Sequence, residues 1–337
     1  MYLARQAKKR YQKKIMSIDN VIGVGVGYKS IRGEVTDKPA VLVFVKKKIS
    51  KKELPKRQII PQILDETLTD VIEIGEIRLL NSRTEKTRPA RPGMSIGHYK
   101  VTAGTIGAVV RDEKTGDELI LSNNHVLANA TNGRDKKSFI GDDILQPGSY
   151  DGGTPTDVIA HLERFIPIEK DTEKTNCLIA QTVEKLANWL LRFIRPNYNM
   201  IFTKTMPTYN LIDAALAKPV KPEYISPDIM GLGSVKGQAN PNLGMKLLKS
   251  GRTTGITSSS VTALDAVLKV LLGPDEEATF YEQIMAGPMA RPGDSGSLVV
   301  DENMNAVGLL FAGSDKATII NPIMNVLRRG NAGIKNK

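Results

Sequence analysis

Apolar positions along this chain fall mostly into short runs, with one long stretch at helical spacing. Leu119-Ile-Leu121 is an apolar strand that ends in a polar Ser-Asn-Asn step. Ala214-Ala-Leu-Ala217 follows Asp213 and reads as a second buried strand, with an Asp-capped short helix as the alternative. Ahead of these, Ala4 to Ile18 predicts a basic helix, and Val21–Lys29 and Pro39–Val45 predict two buried strands. Lys51 to Leu64 is helix or loop around Pro55 and Pro61, and Thr69–Gly75 is a third strand. These elements predict a small α/β domain over residues 1–80. Residues 81–92, containing Arg88-Pro-Ala-Arg-Pro92, form a polar linker, and a mainly β domain follows over residues 93–330.

The stretch at helical spacing lies in an insert over residues 170–207. Val183, Leu186, Ala187, Leu190, Leu191 and Ile194 form its stripe, Trp189 and Phe193 widen it, and Pro196 stops it. Packing of this helix on the β domain is expected, with a subunit interface or a cover over a substrate cleft as alternatives.

Charge sharpens the division. Of 47 Lys/Arg and 36 Asp/Glu, residues 1–60 hold 16 and 4, a net +12; the other 277 residues hold 31 and 32, a net −1. The basic segment has poor aromatic interleaving, so it reads as a solvated charged face rather than a nucleic-acid platform. Contact with a partner, or regulation of the domain behind it, are further readings. Gly23-Val-Gly-Val-Gly27 lies within a strand pattern with no helix directly after it, which argues against a nucleotide site. Three scattered histidines and one cysteine offer no metal-ligand spacing, and no cofactor is expected. Cys177 has no internal partner for a disulfide, no run of about 18 apolar residues suggests a membrane span, and the first ten residues lack a secretory h-region. A cytoplasmic protein with no membrane association is expected.

The chemistry concentrates in Gly293-Asp-Ser-Gly-Ser297. A glycine-rich turn can converge backbone N–H groups on one point, and the amides of Gly293, Asp294 and Ser295 are the candidates, with Gly293 and Ser295 as oxyanion donors. The same string is also an ordinary turn sequence. A serine nucleophile needs a base and an orienter. His125, at the end of the Leu119–Leu121 strand, is the candidate base; His98 reads as a loop residue and His161 as a solvent-facing strand position. Asp213 is the candidate orienter and Asp157 the second choice. The chain order His125, Asp213, Ser295 differs from that of subtilisins and α/β-hydrolases.

With these residues in view, residues 93–330 resemble the trypsin-like serine peptidases of the chymotrypsin fold, in a bacterial intracellular branch similar to the plant narrow-leaf type proteases. Leu121-Ser-Asn-Asn-His-Val-Leu127, Asp213–Ala217, Lys249-Ser-Gly-Arg-Thr-Thr-Gly255, Pro292–Asp301 and Ala306–Ser314 carry the resemblance. It implies a double β-barrel with the site between barrels, Ser295 as nucleophile, His125 as base then acid, and Asp213 as orienter. The chain departs from secreted members in lacking disulfides, and its insert lengthens the interval between His125 and Asp213. The resemblance also implies Met289, six residues before Ser295, at the base of the specificity pocket, and Phe311, Ala312 and Gly313 as the strand that pairs with a peptide substrate. With no acid at Met289, an apolar or small substrate residue is expected there. Lys249–Gly255 reads as a tight turn with Arg252 in an ion pair. The expected protein is a regulated serine endopeptidase, with a homo-oligomer as a possible assembly. The alternative is a catalytically silent protease-fold scaffold whose basic N-terminal domain contacts a partner or nucleic acid.

Overall fold

The structure is a computed structural model that describes residues 1–31, 34–75, 83–175, 177–206, 208–273 and 276–334. The chain divides into two units, Met1–Leu80 and Asn81–Lys337. Residues 76–82, where the first domain was expected to end, lie outside the described residues, as do Asn176 and Pro207 of the insert.

In the first unit, helix α1 (Tyr2–Met16) precedes strands β1 (Val21–Ile31), β2 (Glu34–Val45), β3 (Ile63–Leu64) and β4 (Thr67–Glu73). The sheet order is β1-β2-β4-β3, with β2 and β4 parallel. Ala7 and Ile15 of α1 pack on Val41, Val43, Val45 and Leu64, which leaves most of the helix's Lys and Arg in solvent. The three glycines of β1 make room for β2. A Cβ at Gly23 or Gly25 would meet the Phe44 ring at 3.1 Å, and one at Gly27 would meet Leu42 at 2.6 Å. Their spacing therefore serves cross-strand packing rather than phosphate binding.

The second unit runs β5 (Ser95–His98), β6 (Gly104–Thr105), β7 (Ala108–Asp112), β8 (Glu118–Ser122), α2 (Asn124–Leu127), β9 (Asp143–Leu145) and β10 (Val158–Phe165). The insert contributes β11 (Thr172–Lys174), α3 (Leu178–Ile194) and β12 (Thr203–Thr205). Then come β13 (Ala215–Pro219), β14 (Gly237–Gln238), β15 (Lys246–Gly251), β16 (Gly255–Gly273), β17 (Glu276–Ala286), β18 (Leu298–Asp301), β19 (Asn305–Gly313), β20 (Thr318–Pro322), α4 (Ile323–Gly330) and β21 (Ala332–Ile334).

These strands form two curled sheets. The first has the order β21-β7-β8-β13-β10-β9-β5-β6, and only Ile106 and Gly107 separate β6 from β7, so its ends come together. The second has the order β14-β19-β18-β15-β16-β17-β20 and closes through a β19–β20 pairing. The result is the expected double β-barrel of chymotrypsin type. Strands at the junction are buried on both faces. Ile120 of β8 and Val299 of β18 point into their own barrels, whereas Leu119, Leu121, Leu298 and Val300 meet in a shared core with α4. Double burial is why these segments read as continuous apolar runs.

Several segments differ from their sequence reading. Arg83 to Pro92, read as linker, lies against the second unit. Arg83 Nη1 donates to Gly93 O (3.0 Å) and Ser250 Oγ (2.7 Å), and Ala90 bridges Ile225. His98 is not in a loop but ends β5, fully buried. Its Nε2 lies 3.0 Å from Asp142 Oδ2 and its Nδ1 accepts from the Lys100 amide. His161 does face solvent, paired with Asp143 at 3.1 Å. Helix α3 contains the expected stripe and ends at Ile194, ahead of Pro196, but it does not pack on a barrel: among its described residues none is buried. Among the described residues no helix is long and apolar enough to cross a membrane.

The barrels touch backbone to backbone at Gly107. A Cβ there would lie 2.3 Å from Gly296 O and 2.9 Å from Leu121 O, and neither carbonyl can swing aside as a side chain can. Gly107→Ala is expected to destabilise the protein by about 1–3 kcal/mol, the usual scale for overpacking. Thermal unfolding followed by circular dichroism checks this, and an unchanged midpoint would count against the contact.

Candidate active site

His125 is placed by the end of β8. The strand gives way to the single helical turn α2, with Asn123 at its N-cap and His125 on the side toward Asp213. Asp213 is fully buried and immediately precedes β13; no helix forms there. Its carboxylate takes two bonds from His125, one from the backbone amide (3.2 Å) and a short one from Nδ1. With Nδ1–H donated to a carboxylate, Nε2 is left at the open end of the ring. Two buried amides hold Asp213 in turn. Asn123 Nδ2 donates to Asp213 O (2.8 Å), and Asn321 Oδ1 accepts from the Asp213 amide (3.2 Å). Burial alone would lower the His125 pKa, but the Asp213 charge and its hydrogen bond together raise it above the ordinary value.

Ser295 lies in the loop between β17 and β18. His125, Asp213 and Ser295 line the same cleft, of about 880 Å³. Among the described residues the Ser295 hydroxyl makes no bond to His125; it donates to Phe311 O at 3.3 Å. Thr105 fastens the loop to the first barrel, its amide donating to Ser295 O (2.8 Å) and its hydroxyl to Gly293 O (2.8 Å).

The loop's amides are sorted by a turn. The Asp294 amide donates to Arg291 O (2.9 Å), closing a turn in which Gly293 has φ +96°. That left-handed conformation favours glycine, and a Cβ would also meet Thr253 Oγ1 at 2.4 Å. Thr253 Oγ1 donates to Pro292 O (2.8 Å), which fixes the Pro292–Gly293 peptide. In a trans peptide the N–H points opposite the carbonyl, so the Gly293 N–H faces away from Thr253. The amides of Gly293 and Ser295 have no partner among the described residues, whereas that of Asp294 is occupied.

Beneath the loop sits a buried ion pair that sequence reasoning did not assign. Lys249 Nζ lies 3.2 Å from Asp294 Oδ2, and both side chains have no solvent exposure. Lys249 also donates to Thr254 Oγ1 and to Gly255 O (3.1 Å). Asp294 further accepts from the amides of Thr253 (2.9 Å), Thr254 (3.0 Å) and Arg291 (3.0 Å) and from Thr254 Oγ1 (2.7 Å). Burial pushes the Asp294 carboxyl upward, but Lys249 and these donors outweigh it and hold the group below its ordinary range. The only sequence signal was the Lys249–Gly255 motif itself. Its Arg252 does form an ion pair, with Asp151 of the first barrel. Nε donates to Asp151 Oδ2 (2.7 Å), Nη2 to Oδ1, and Ser95 Oγ adds a third bond at 2.6 Å.

Phe311, Ala312 and Gly313 line the cleft beside Ser295. Met289 does not. Its amide donates to Thr318 Oγ1 (3.0 Å) and its carbonyl accepts from Thr257 Oγ1 (2.6 Å), which turns the side chain into the second barrel's core, 4% exposed. Ala290, Met285 and Ile319 form the wall instead, and Leu268, Val270 and Leu272 of the long β16–β17 hairpin extend it. Among the described residues no group of three or more His, Cys, Asp or Glu is placed to hold a metal ion.

A family model described as the NARROW LEAF 1 N-terminal domain matches residues 5–74. The chain is 27% identical over 191 residues to Protein NARROW LEAF 1 of Oryza sativa subsp. japonica. That match covers 44% of this chain and 32% of the relative, so it spans about a third of the curated relative's length. Among solved structures, the chain is similar to a chymotrypsin from Cellulomonas bogoriensis, at 16% identity and TM-score 0.45, covering 73% of this chain and 98% of that one. It is likewise similar to the Nocardiopsis protease NAPase, at 14% identity and TM-score 0.46, covering 73% and 100%. In sequence the chain is thus similar to a narrow-leaf protein over part of its length.

Proposed function

We propose that this protein is a serine endopeptidase that cleaves peptide bonds through an acyl-enzyme. The observation that carries the reading is the meeting, in one cleft, of Ser295, a His125–Asp213 pair and two unpartnered loop amides. Ser295 Oγ leaves Phe311 O by rotation about χ1, attacks the substrate carbonyl carbon and passes its proton to His125 Nε2. Asp213 stabilises the imidazolium that forms. The N–H groups of Gly293 and Ser295 bind the oxyanion, His125 protonates the leaving amine, and the acyl-enzyme remains. Water, deprotonated by His125, then attacks the ester, and collapse of the second tetrahedral intermediate returns the proton to Ser295. The substrate backbone lies along Phe311–Gly313 as an added strand. No cofactor takes part in this scheme, and a peptide or protein is the substrate.

A second reading, a silent protease-fold scaffold, is favoured by one observation: the Ser295 hydroxyl rests on Phe311 O instead of His125. A fluorophosphonate probe separates the two readings. Labelling that is lost in Ser295→Ala and His125→Ala supports the enzyme, and no labelling of wild type in the presence of any tested peptide supports the scaffold. In the enzyme, Ser295→Ala is expected to lower kcat by on the order of 10⁶.

The His125 pKa gives a pH dependence. The base must be neutral, and its pKa is raised, so kcat/KM should climb with pH through a midpoint above about 6.5. Asp213→Asn removes the charge that raises it. The midpoint should then fall, and kcat should drop by roughly 10⁴ as the tautomer is lost. A variant whose midpoint stays in place would contradict the pairing.

The cleft wall of Ala290, Met285, Ile319 and Phe311 is apolar, and its charged members Lys269, Arg291 and Asp315 stand exposed. Cleavage after apolar or small residues is therefore expected in a peptide library; a profile dominated by Arg and Lys would refute it.

A further inference from the structure

We propose that the apolar face of α3 is the seat of a second copy of this chain. The helix carries large apolar side chains along one face, and they face water. Leu178, Leu186, Trp189, Phe193 and Ile194 are between 55% and 79% exposed. Trp189 and Phe193 already form an edge-to-face pair with centroids 5.3 Å apart. Tyr198 and Ile201, on the segment that returns from the helix, are exposed beside them in sequence and extend the apolar surface of the insert.

The polar side of the same helix is occupied by the insert itself. Asn188 Nδ2 donates to Met200 O (2.8 Å), Asn188 Oδ1 accepts from the Met200 amide (2.7 Å), and Glu184 accepts from the Phe202 amide (2.9 Å). Gln181 Nε2 donates to Thr175 O (3.1 Å). The hairpin therefore fastens its chain with its polar groups and turns the apolar ones outward, the reverse of a helix that packs on its own domain. Its base is tied to the barrel through Asp171, which accepts from Thr279 Oγ1 (2.7 Å), so the face is held out on an anchored support. None of the described residues of 170–207 lines the cleft, so α3 is not placed as a cover over it.

Size and charge select the occupant. Eight large apolar side chains on α3 and three on the return segment are exposed. Full burial of such a side chain removes roughly 60–120 Å², so in their half-exposed state they offer on the order of 600 Å². A stable interface buries about 800 Å² per partner, part of it polar rim, so one face of this kind meeting another is of the required size. Helices that lie on lipid headgroups carry a polar face rich in Lys and Arg. The ionisable groups of α3 are Glu184, Lys185 and Arg192, nearly balanced, with Glu184 committed to Phe202. A nearly neutral, charge-free stripe of aromatic and aliphatic residues meets an identical stripe without repulsion, as a two-fold interface requires.

Trp189 is the only tryptophan in the chain and sits within this face, so the unmodified protein reports on it. Sedimentation velocity of the full chain over a wide concentration range should show a mass at or above a dimer. Trp189 emission should shift to the red on dilution, in step with dissociation. Leu186→Glu and Phe193→Glu should each abolish the assembly while leaving the circular dichroism spectrum and unfolding midpoint in place, because neither side chain belongs to a core. A monomer at every concentration would overturn the proposal. So would an assembly that survives both substitutions, or one in which Trp189 emission does not change on dissociation. A monomer that floats with phosphatidylcholine–phosphatidylglycerol vesicles, and ceases to do so in the two variants, would assign the face to lipid instead. None of these readouts depends on peptidase activity.

Discussion

The Asp294 carboxylate is the constraint around which the candidate site is organised. It is fully buried, ionised, and reached by five hydrogen-bond donors that come from Lys249, the Thr253–Thr254 turn and the Arg291 amide. A buried ion pair gains little net free energy, because desolvation of two charges offsets most of their attraction. What it does is penalise every other arrangement: an uncompensated charge at this depth costs about 3–5 kcal/mol. The loop that bears Ser295 can therefore adopt few conformations, and the one selected leaves the Gly293 and Ser295 amides without partners among the described residues. The orientation of the neighbouring peptide is not separate from this. Thr253 serves both ends, through its amide to Asp294 and its hydroxyl to Pro292 O.

The rest of the site is held by the way two barrels share a boundary. Strands β8 and β18 contribute side chains to their own barrel on one face and to the common core on the other. The segments that carry His125 and Ser295 adjoin these two doubly buried strands, so each inherits a rigid origin on its own barrel. Among the polar links that cross the boundary, two reach the turn under the nucleophile: Thr105 to the nucleophile loop, and Asp151 to Arg252. Neither link carries chemistry, yet each fixes a part of the turn that supports Gly293.

How much of this could be read in the chain follows from which interactions leave a local trace. His125, Asp213 and Ser295 were legible because each adjoins an apolar run, and a strand buried on both faces announces itself by composition. The stripe of α3 was legible from spacing and its end from Pro196. Its burial was not, because an amphipathic pattern states that a face is apolar and says nothing about what covers it. Lys249 in an apolar strand looked like one more turn residue; its role depends on Asp294, 45 positions away. Asn123 makes one bond to the Asp213 backbone and Asn321 two, and isolated amides make no pattern. Met289 was placed by counting back from Ser295, but two threonine hydroxyls on neighbouring strands, not the count, decide where its side chain goes. The β16–β17 hairpin, which extends one cleft wall, alternates polar and apolar residues over much of its length and could have been read as a strand pair.

The contact of Gly107 with Gly296 acts as a length standard for the molecule. Where the barrels meet through side chains, a change in one core residue can be absorbed by a neighbour that shrinks or grows. Here backbone meets backbone, and no compensating residue exists. The two cores can drift independently over many substitutions while the spacing between the His125 and Ser295 segments stays the same, because that spacing is set by atoms every residue possesses.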